Sequence, residues 1–305
     1  MPAASEKRLH YTRERRRSTP TEERAFGITV ERRYLYRSRP LVGTLETLQE
    51  AVARRSCFAL VSGEPGTGKT TLCKTLVDET GPNVITALLL YPPATEEELL
   101  TGMLESLGIL SGRQRLAAAL PTRDQLLHTL RQCLQSIAAV GAITVLVIDE
   151  AQSLPAPVLR QIQVLTDANV PTGQRLQVVL VGQPALVEQL RAPELAELDQ
   201  RLAVRCEFTP LTDEETRAYV LHRLEIADPE LTITFAPEVL AMVHQCSNGI
   251  PRVVNLLCHR ALIAAQGDRA RVVDTGMLMT VIADLELAPP LPPRGSWLSR
   301  FGKRA

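Results

Sequence analysis

Residues 63–71 read Gly63-Glu64-Pro65-Gly66-Thr67-Gly68-Lys69-Thr70-Thr71, which fits the spacing G-x-x-x-x-G-K-[ST] of a phosphate-binding loop. The apolar run before it, residues 57–61, predicts a buried strand, and residues 70–80 after it predict a helix. A loop between a strand and a helix directs backbone N–H groups and the positive end of the helix toward an anion. The stretch therefore predicts a nucleotide site in an α/β fold.

The residue types of this loop indicate how it would hold ATP and Mg²⁺. Without side chains at Gly63, Gly66 and Gly68, the backbone can approach a polyphosphate closely. Lys69 is predicted to bring a positive charge to the β- and γ-phosphates, and the hydroxyl of Thr70 is predicted to coordinate Mg²⁺. We expect the whole loop to bind the nucleotide.

Polar side chains follow two later predicted strands. The apolar run 143–148 leads directly into Asp149 and Glu150, at the strand end where open α/β sheets bind ligands. Asp149 is predicted to organise Mg²⁺, and Glu150 to act as the base that polarises the attacking water. The apolar run 176–181 precedes Gln183, whose side chain would either bond the γ-phosphate or the water, or cap the following helix.

The order of the patterns predicts the fold class. Helical and strand patterns alternate from a helix capped at Thr44 to a strand that ends at Phe208, which predicts a parallel sheet covered on both faces. Beyond Pro210 the pattern is helical, with N-terminal signals at Thr212 and Asp274. We expect a three-layer αβα P-loop NTPase domain followed by a smaller, all-helical lid domain. The expected bounds are 1–25 for a basic arm, 26–210 for the α/β domain, 211–287 for the lid and 288–305 for a proline-rich basic tail.

Charge is distributed unevenly, although the formal net charge is zero. Residues 1–40 hold eleven basic and five acidic residues, and residues 291–305 hold four basic residues and no acidic one, which leaves a net charge of −10 for residues 41–290. The basic arm, with Arg15–Arg17, can contact nucleic acid or anionic lipid, and a solvated tail explains its charge equally well. Aromatic residues make up only 4% of the chain, which argues against a base-stacking platform.

The cysteine pattern and the hydropathy of the chain indicate its cellular compartment. The six cysteines are scattered through apolar segments without a C-x-x-C pair, which is typical of a reduced, cytosolic protein. The charged N-terminus has no apolar signal core, and the apolar runs are much shorter than a membrane span. We therefore expect a cytoplasmic chain without a transmembrane segment.

Taken together, these residues make the chain resemble AAA+ ATPases, more narrowly those of the ExeA/GspA type, with similarity to the transposition ATPases TniB and TnsC. The resemblance covers about residues 26–285. It is carried by Phe26-Gly27, Arg33-Tyr34-Leu35-Tyr36, the loop 62–71, Asp149-Glu150-Ala151-Gln152, Val181-Gly182-Gln183-Pro184, Gln200-Arg201 and residues 249–255.

The resemblance implies roles for further residues. It places Gln183 at sensor 1, Arg252 at sensor 2 on the lid, and Arg201 at the arginine finger that reaches the γ-phosphate of a neighbouring subunit. Arg205, four residues on and equally basic, is the alternative finger. The active form would then be a homo-oligomer, a ring or a filament.

Three functions are consistent with this resemblance. The first is an ATPase that switches or assembles a protein partner, such as secretion, pilus or export machinery. The second is an ATP-dependent DNA-binding regulator of the transposition type, in which the basic arm would contact DNA. The third is a nucleotide-gated scaffold without significant hydrolysis, which the presence of Glu150 and Arg201 argues against.

Overall fold

The computed structural model describes residues 25–27, 32–56, 58–110, 121–167, 176–228 and 232–288. Residues 1–24 of the predicted arm and residues 289–305 of the predicted tail lie outside the described residues. By its internal contacts the chain divides into two units, one of residues 39–209 and one of the residues before 39 together with those after 209.

Residues 39–209 form an α/β unit around a parallel sheet. Its strands are β1 (Phe58–Ser62), β2 (Val84–Leu89), β3 (Ile143–Ile148), β4 (Gln177–Gly182) and β5 (Leu202–Glu207). They lie in the order β2-β3-β4-β1-β5, and every neighbouring pair is parallel. Since parallel strands need long connections, each strand is joined to the next by helical segments. The fold class expected from the alternating pattern is confirmed.

The helices of this unit connect the strands. They are α1 (Arg39–Ala53), α2 (Lys69–Glu79), α3 (Glu96–Ser106), α4 (Arg123–Ala139), α5 (Ala156–Asp167), α6 (Ala185–Leu190) and α7 (Ala196–Gln200), with 3₁₀ turns at Ala151–Ser153 and Pro193–Leu195. Burial follows the position of each strand in the sheet. Every residue of the central strand β4 is buried, whereas the edge strand β5 alternates between partly buried and exposed residues. The central strands therefore form the core, as expected for a sheet with helices on both faces.

The start of α1 differs from the prediction. The helix begins at Arg39, and Thr44, the predicted cap, is a buried residue inside it. Pro40 lies in the first turn, where its fixed φ suits a helix and its missing N–H breaks no bond. The assignment of Thr44 as a cap was therefore wrong. By contrast, the N-terminal signals predicted at Thr212 and Asp274 are both side-chain caps in the structure.

The second unit is mainly helical. Its helices are α8 (Asp213–Ala227), α9 (Pro237–Ser247), α10 (Pro251–Gly267) and α11 (Thr275–Asp284). A parallel pair of two-residue strands, β6 (Thr234–Phe235) and β7 (Val272–Val273), also belongs to it. These strands were not predicted because two residues are too few to show a strand period.

The N-terminal segment contributes to the core of the helical unit. The described residues before 39, which from residue 26 onward were predicted to belong to the α/β domain, group by contacts with the helices after 209. Phe26 and Tyr34 are both 4% exposed in this core, and the Phe26 ring meets Phe235 edge to face at 6.5 Å. The buried guanidinium of Arg223 donates to the carbonyl of Ala25 at 2.5 Å. These contacts tie the segment to α8 and β6.

Across the described part of the chain, no helix combines the length and the apolar character that crossing a membrane requires.

Candidate active site

The loop between β1 and α2 is fixed at its start by both neighbouring strands. The N–H of Gly63 donates to the carbonyl of Gly182 at 3.1 Å, and the N–H of Phe208 donates to the carbonyl of Ser62 at 2.7 Å. A Cβ on Gly63 would lie 2.5 Å from the carbonyl oxygen of Phe208, so only glycine fits there. The backbone of Gly68 has φ 110°, which an L side chain rarely adopts. Glycine at positions 63 and 68 therefore allows the backbone of the loop to turn tightly.

Lys69 places its charge inside this loop. Its side chain is only 5% exposed, and Nζ donates to the carbonyls of Gly63 at 2.8 Å and Glu64 at 3.0 Å. Helix α2 begins at Lys69, and Gly68 before it provides no side-chain cap for the first N–H groups. An uncapped helix start beside a buried ammonium is suited to an anion.

The remaining loop residues have distinct environments. The hydroxyl of Thr67 donates to the carbonyl of Glu64 at 2.8 Å, which closes the turn. The side chains of Glu64 and Pro65 are exposed, and Thr71 is half-buried in the first turn of α2.

Thr70 and Asp149 bring two oxygen groups together beside the loop. The hydroxyl of Thr70 donates to Oδ2 of Asp149 at 2.5 Å, and the N–H of Glu150 donates to Oδ1 at 2.9 Å. Burial raises the pKa of the Asp149 carboxyl, while the hydrogen bonds from Thr70 and from the backbone of Glu150 lower it. A hydroxyl and a carboxylate are ligands of the kind that Mg²⁺ prefers. The structure brings the two predicted metal ligands together.

Glu150 lies in a strained backbone conformation at the end of β3. Its φ of 52° is in the left-handed region, which is uncommon outside glycine and is often found at functional sites. Its Oε2 accepts from Nε2 of Gln152 at 2.6 Å and from Nε2 of Gln183 at 3.3 Å. The structure therefore brings the predicted base and the predicted sensor into contact.

Gln183 does not cap the next helix. The N-cap of α6 is Pro184, and that position makes no side-chain cap hydrogen bond. The side chain of Gln183 points instead to Glu150. Of the two roles that the sequence left open, the geometry favours the one at the site.

Gln152 is a residue to which sequence reasoning assigned no role. Besides its bond to Glu150, its Oε1 accepts from the backbone N–H of Gln183 at 3.0 Å. The only signal in the sequence was its position two residues after Glu150 in the run Asp-Glu-Ala-Gln.

Arg201 and Arg205 lie near the start and in the middle of the edge strand β5. The guanidinium carbon of Arg201 is 5.2 Å from the ring centroid of Phe58, at the start of β1. Since β1 and β5 are parallel and Lys69 follows the end of β1, about 13 Å of strand at 3.3 Å per residue separates Arg201 from the loop. Arg205 donates to the carboxylate of Asp199 at 2.8 Å. Arg201 is therefore not brought to the loop of its own unit.

Arg252 belongs to the helical unit. It is exposed and follows Pro251 at the start of α10. The turn before it requires Gly249, which has φ 70° and whose Cβ would lie 2.0 Å from the carbonyl oxygen of Leu211. This turn fixes the start of α10, and the role of Arg252 at the nucleotide stays a prediction.

Comparison with known proteins agrees with these motifs. Residues 53–190 match the family described as AAA domain. The chain is 37% identical over 245 residues to General secretion pathway protein A of Aeromonas hydrophila, an alignment that covers 80% of this chain and 43% of that protein. The chain thus spans less than half the length of this relative.

Solved structures share the fold. Cdc6p from Pyrobaculum aerophilum matches with a TM-score of 0.65 and 18% identity, over 86% of this chain and 70% of that one. The ORC2 protein of Aeropyrum pernix, in its ADPNP-ADP complexes, matches with a TM-score of 0.61 and 16% identity, over 83% and 72% of the two chains. At these identities the likeness shows the fold alone.

Proposed function

Because this chain is an ExeA/GspA-like AAA+ ATPase, we propose that it binds and hydrolyses ATP-Mg²⁺ at sites between the subunits of a homo-oligomer. The observation that carries this proposal is the contact between Thr70 and Asp149 beside the buried Lys69. A buried ammonium and two oxygen groups at the carboxyl edge of the sheet, where such folds bind ligands, support the proposed site.

The residues present fit both ligands. The phosphates would be held by the backbone of residues 63–71 and by Lys69, because this segment combines an uncapped helix start with a buried ammonium. Thr70 and Asp149 would hold Mg²⁺. When bound, the metal ion would neutralise charge on the phosphates.

Hydrolysis requires a base and a stabilising cation. We assign the base to Glu150, which directly follows Asp149 and donates its backbone N–H to that carboxylate, and the orientation of the attacking water to Gln183, which contacts the Glu150 carboxylate. We assign the stabilising cation to Arg201 of a neighbouring subunit, with Arg205 as the alternative. Arg252 would contact the nucleotide from the lid.

The output of the cycle is inferred from the relative that is named for the general secretion pathway. We propose that ATP binding and hydrolysis switch or assemble a partner protein complex of the secretion type. We place this activity in the cytoplasm; the five described cysteines, all free thiols, support a reducing compartment.

The proposal is tested with two variants that separate binding from hydrolysis. Lys69→Ala is expected to lose ATP binding, because it removes the buried cation of the loop. Glu150→Gln is expected to keep ATP binding and lose turnover, because an amide cannot accept the proton of the water. Lys74→Ala, an exposed lysine on the same helix, is the control and should match the parent. Normal ATP affinity in Lys69→Ala would reject the site, and parental turnover in Glu150→Gln would reject the base.

A further inference from the structure

Gln152 contacts two partners with the two ends of one amide group. Its Nε2 donates to Oε2 of Glu150 at 2.6 Å, and its Oε1 accepts from the backbone N–H of Gln183 at 3.0 Å. It thereby links the end of β3 to the end of β4. The two strand ends carry the proposed base and the proposed sensor.

The absence of a side chain at Gly182 of β4 allows this close approach. A Cβ on Gly182 would lie 2.8 Å from Oε1 of Gln152 and 3.2 Å from its backbone nitrogen. Gly182 itself is buried in the last position of β4. A side chain at position 182 would therefore displace Gln152 from its two hydrogen bonds.

We propose that Gln152 is a positioning residue that orients the carboxylate of Glu150 for its task as base; this inference rests on the proposed function. Both amide donors, from Gln152 and from Gln183, reach the same oxygen, Oε2. Two donors on one carboxylate oxygen fix the plane of the group and leave the other oxygen, Oε1, for a water.

The local backbone gives a reason why such a link is needed. Glu150 has φ 52°, a conformation that costs free energy outside glycine and persists only where surrounding contacts hold it. The 3₁₀ turn that follows, Ala151–Ser153, carries Gln152 back toward Glu150. A small displacement of a catalytic group can lower the rate by about 100-fold. We therefore expect loss of the bond from Gln152 to lower turnover more than it lowers nucleotide affinity.

A second glutamine, in α6, provides a matched control because it contacts the segment that carries Gln152. Nε2 of Gln189 donates to the carbonyl of Leu154 at 2.7 Å, so Gln189 holds the end of the turn without a bond to Glu150. Truncation of Gln189 removes a structural contact and leaves the base in place. Truncation of Gln152 removes the contact to the base itself.

Two substitutions of Gln152 separate its two bonds. Gln152→Ala removes both. Gln152→Glu keeps an oxygen that accepts from the N–H of Gln183, but it replaces the donor to Glu150 with a second carboxylate. We expect kcat to fall about 10-fold or more in both variants, with the dissociation constant for ATP within about twofold of the parent. Gln189→Ala is expected to lower the melting temperature and to keep kcat within about twofold.

Amide hydrogen exchange in the nucleotide-free protein gives a readout that does not depend on activity. Exchange at the N–H of Gln183 is expected to accelerate in Gln152→Ala, which lacks the acceptor, and to stay near the parental rate in Gln152→Glu. Unchanged exchange at Gln183 in Gln152→Ala would show that the link is absent in solution and would overturn the proposal.

The kinetic measurements can also overturn the proposal. Parental kcat in both Gln152 variants, or a rise in kcat, would overturn the proposal. Equal losses of kcat in Gln152→Ala and Gln189→Ala, accompanied by equal losses of ATP affinity, would show a structural role and reject positioning. If the parent chain itself hydrolyses no ATP while the exchange results hold, the failure lies with the proposed function and not with the link.

Discussion

The hydroxyl of Thr70 lies 2.5 Å from Oδ2 of Asp149, although 79 residues separate the two in the chain. Thr70 is in the first turn of α2, directly after the loop that follows β1, and Asp149 directly follows β3. Strand β4 lies between β1 and β3, so the two residues meet across its end. The geometry of the sheet thus assembles a pair of oxygen ligands from two distant segments.

Thr70→Val tests this pair as a metal site. Valine keeps the shape of threonine but removes the oxygen, so the gain in ATP affinity that Mg²⁺ provides is expected to fall by about 10-fold or more. Affinity measured in EDTA should stay near the parental value, because Lys69 and the loop are intact. The measurement is a titration with a fluorescent ATP analogue, with and without Mg²⁺.

Thr80→Val serves as the control for that titration. Thr80 lies at the other end of α2, where its hydroxyl donates to the carbonyl of Val77 at 3.0 Å. The same loss of a hydroxyl should leave the Mg²⁺ dependence unchanged there. An unchanged Mg²⁺ dependence in Thr70→Val would remove Thr70 from the metal site.

The sequence indicated the candidate site wherever the relevant signal is local. The loop before Lys69 and the acids after β3 follow apolar runs, and parallel strands place their carboxyl ends at one edge. The bond between Gln152 and Gln183 could not be predicted in this way. It depends on β3 and β4 being neighbours in the sheet. Neither the sequence of β3 nor that of β4 indicates by itself which strands are neighbours.

The differences in the fold have a similar origin. Thr44 is a good cap by residue type, but the helix starts at Arg39, with Pro40 in a first turn that suits it. The segment around Tyr34 joins the helical unit through contacts with α8, which is almost 200 residues away in the chain. Long-range packing decided the second feature, and local residue preferences are weak compared with it.

Gly63→Ala tests how tightly the loop is fixed to the sheet. Its Cβ would lie 2.5 Å from a backbone oxygen of Phe208, which cannot move without disturbing the end of β5. Such overpacking typically costs about 1–3 kcal/mol, so we expect a lower melting temperature together with weaker ATP binding. Gly81→Ala is the control, since nothing lies within 4 Å of its added Cβ. Equal melting temperatures for the two variants would contradict the close approach at Gly63.

The buried thiol of Cys258 predicts how the free energy of unfolding of the helical unit changes at alkaline pH. Burial raises the pKa of this thiol, while the charge of Arg223 lowers it to a smaller extent. In the unfolded chain a thiol loses its proton near about pH 8.5. Above that pH the unfolded state releases a proton that the folded state keeps, so the free energy of unfolding falls as pH rises.

Cys258→Ala is expected to flatten this alkaline decline. One buried thiol contributes a slope of at most about 1.4 kcal/mol per pH unit between the two pKa values. The measurement is urea unfolding between about pH 8 and pH 10.5, with the slope of each protein compared and not its absolute stability, because the variant also loses a buried side chain. Parallel slopes would show that Cys258 does not titrate on unfolding.

The final prediction is that turnover requires assembly. Arg201 lies beside Phe58 at the start of β1, about 13 Å of strand away from the loop that holds Lys69, so it cannot complete the site of its own subunit. An arginine that stabilises the transferred phosphoryl group is worth about 10³–10⁵ in rate. A dilute monomer is therefore expected to bind ATP and to turn it over slowly, with specific activity that rises steeply with protein concentration.

Mixed assemblies distinguish a finger acting on a neighbour from one acting on its own site. Arg201→Ala is expected to bind ATP without turnover, and Lys69→Ala to lack binding. Mixing them should restore part of the activity, because the intact loop of an Arg201→Ala subunit can use the arginine of a Lys69→Ala neighbour. Arg205→Ala in parallel tests the alternative finger, whose guanidinium is bonded to Asp199. Turnover independent of concentration, or no rescue in mixtures shown to co-assemble, would reject Arg201 as the finger that acts between subunits.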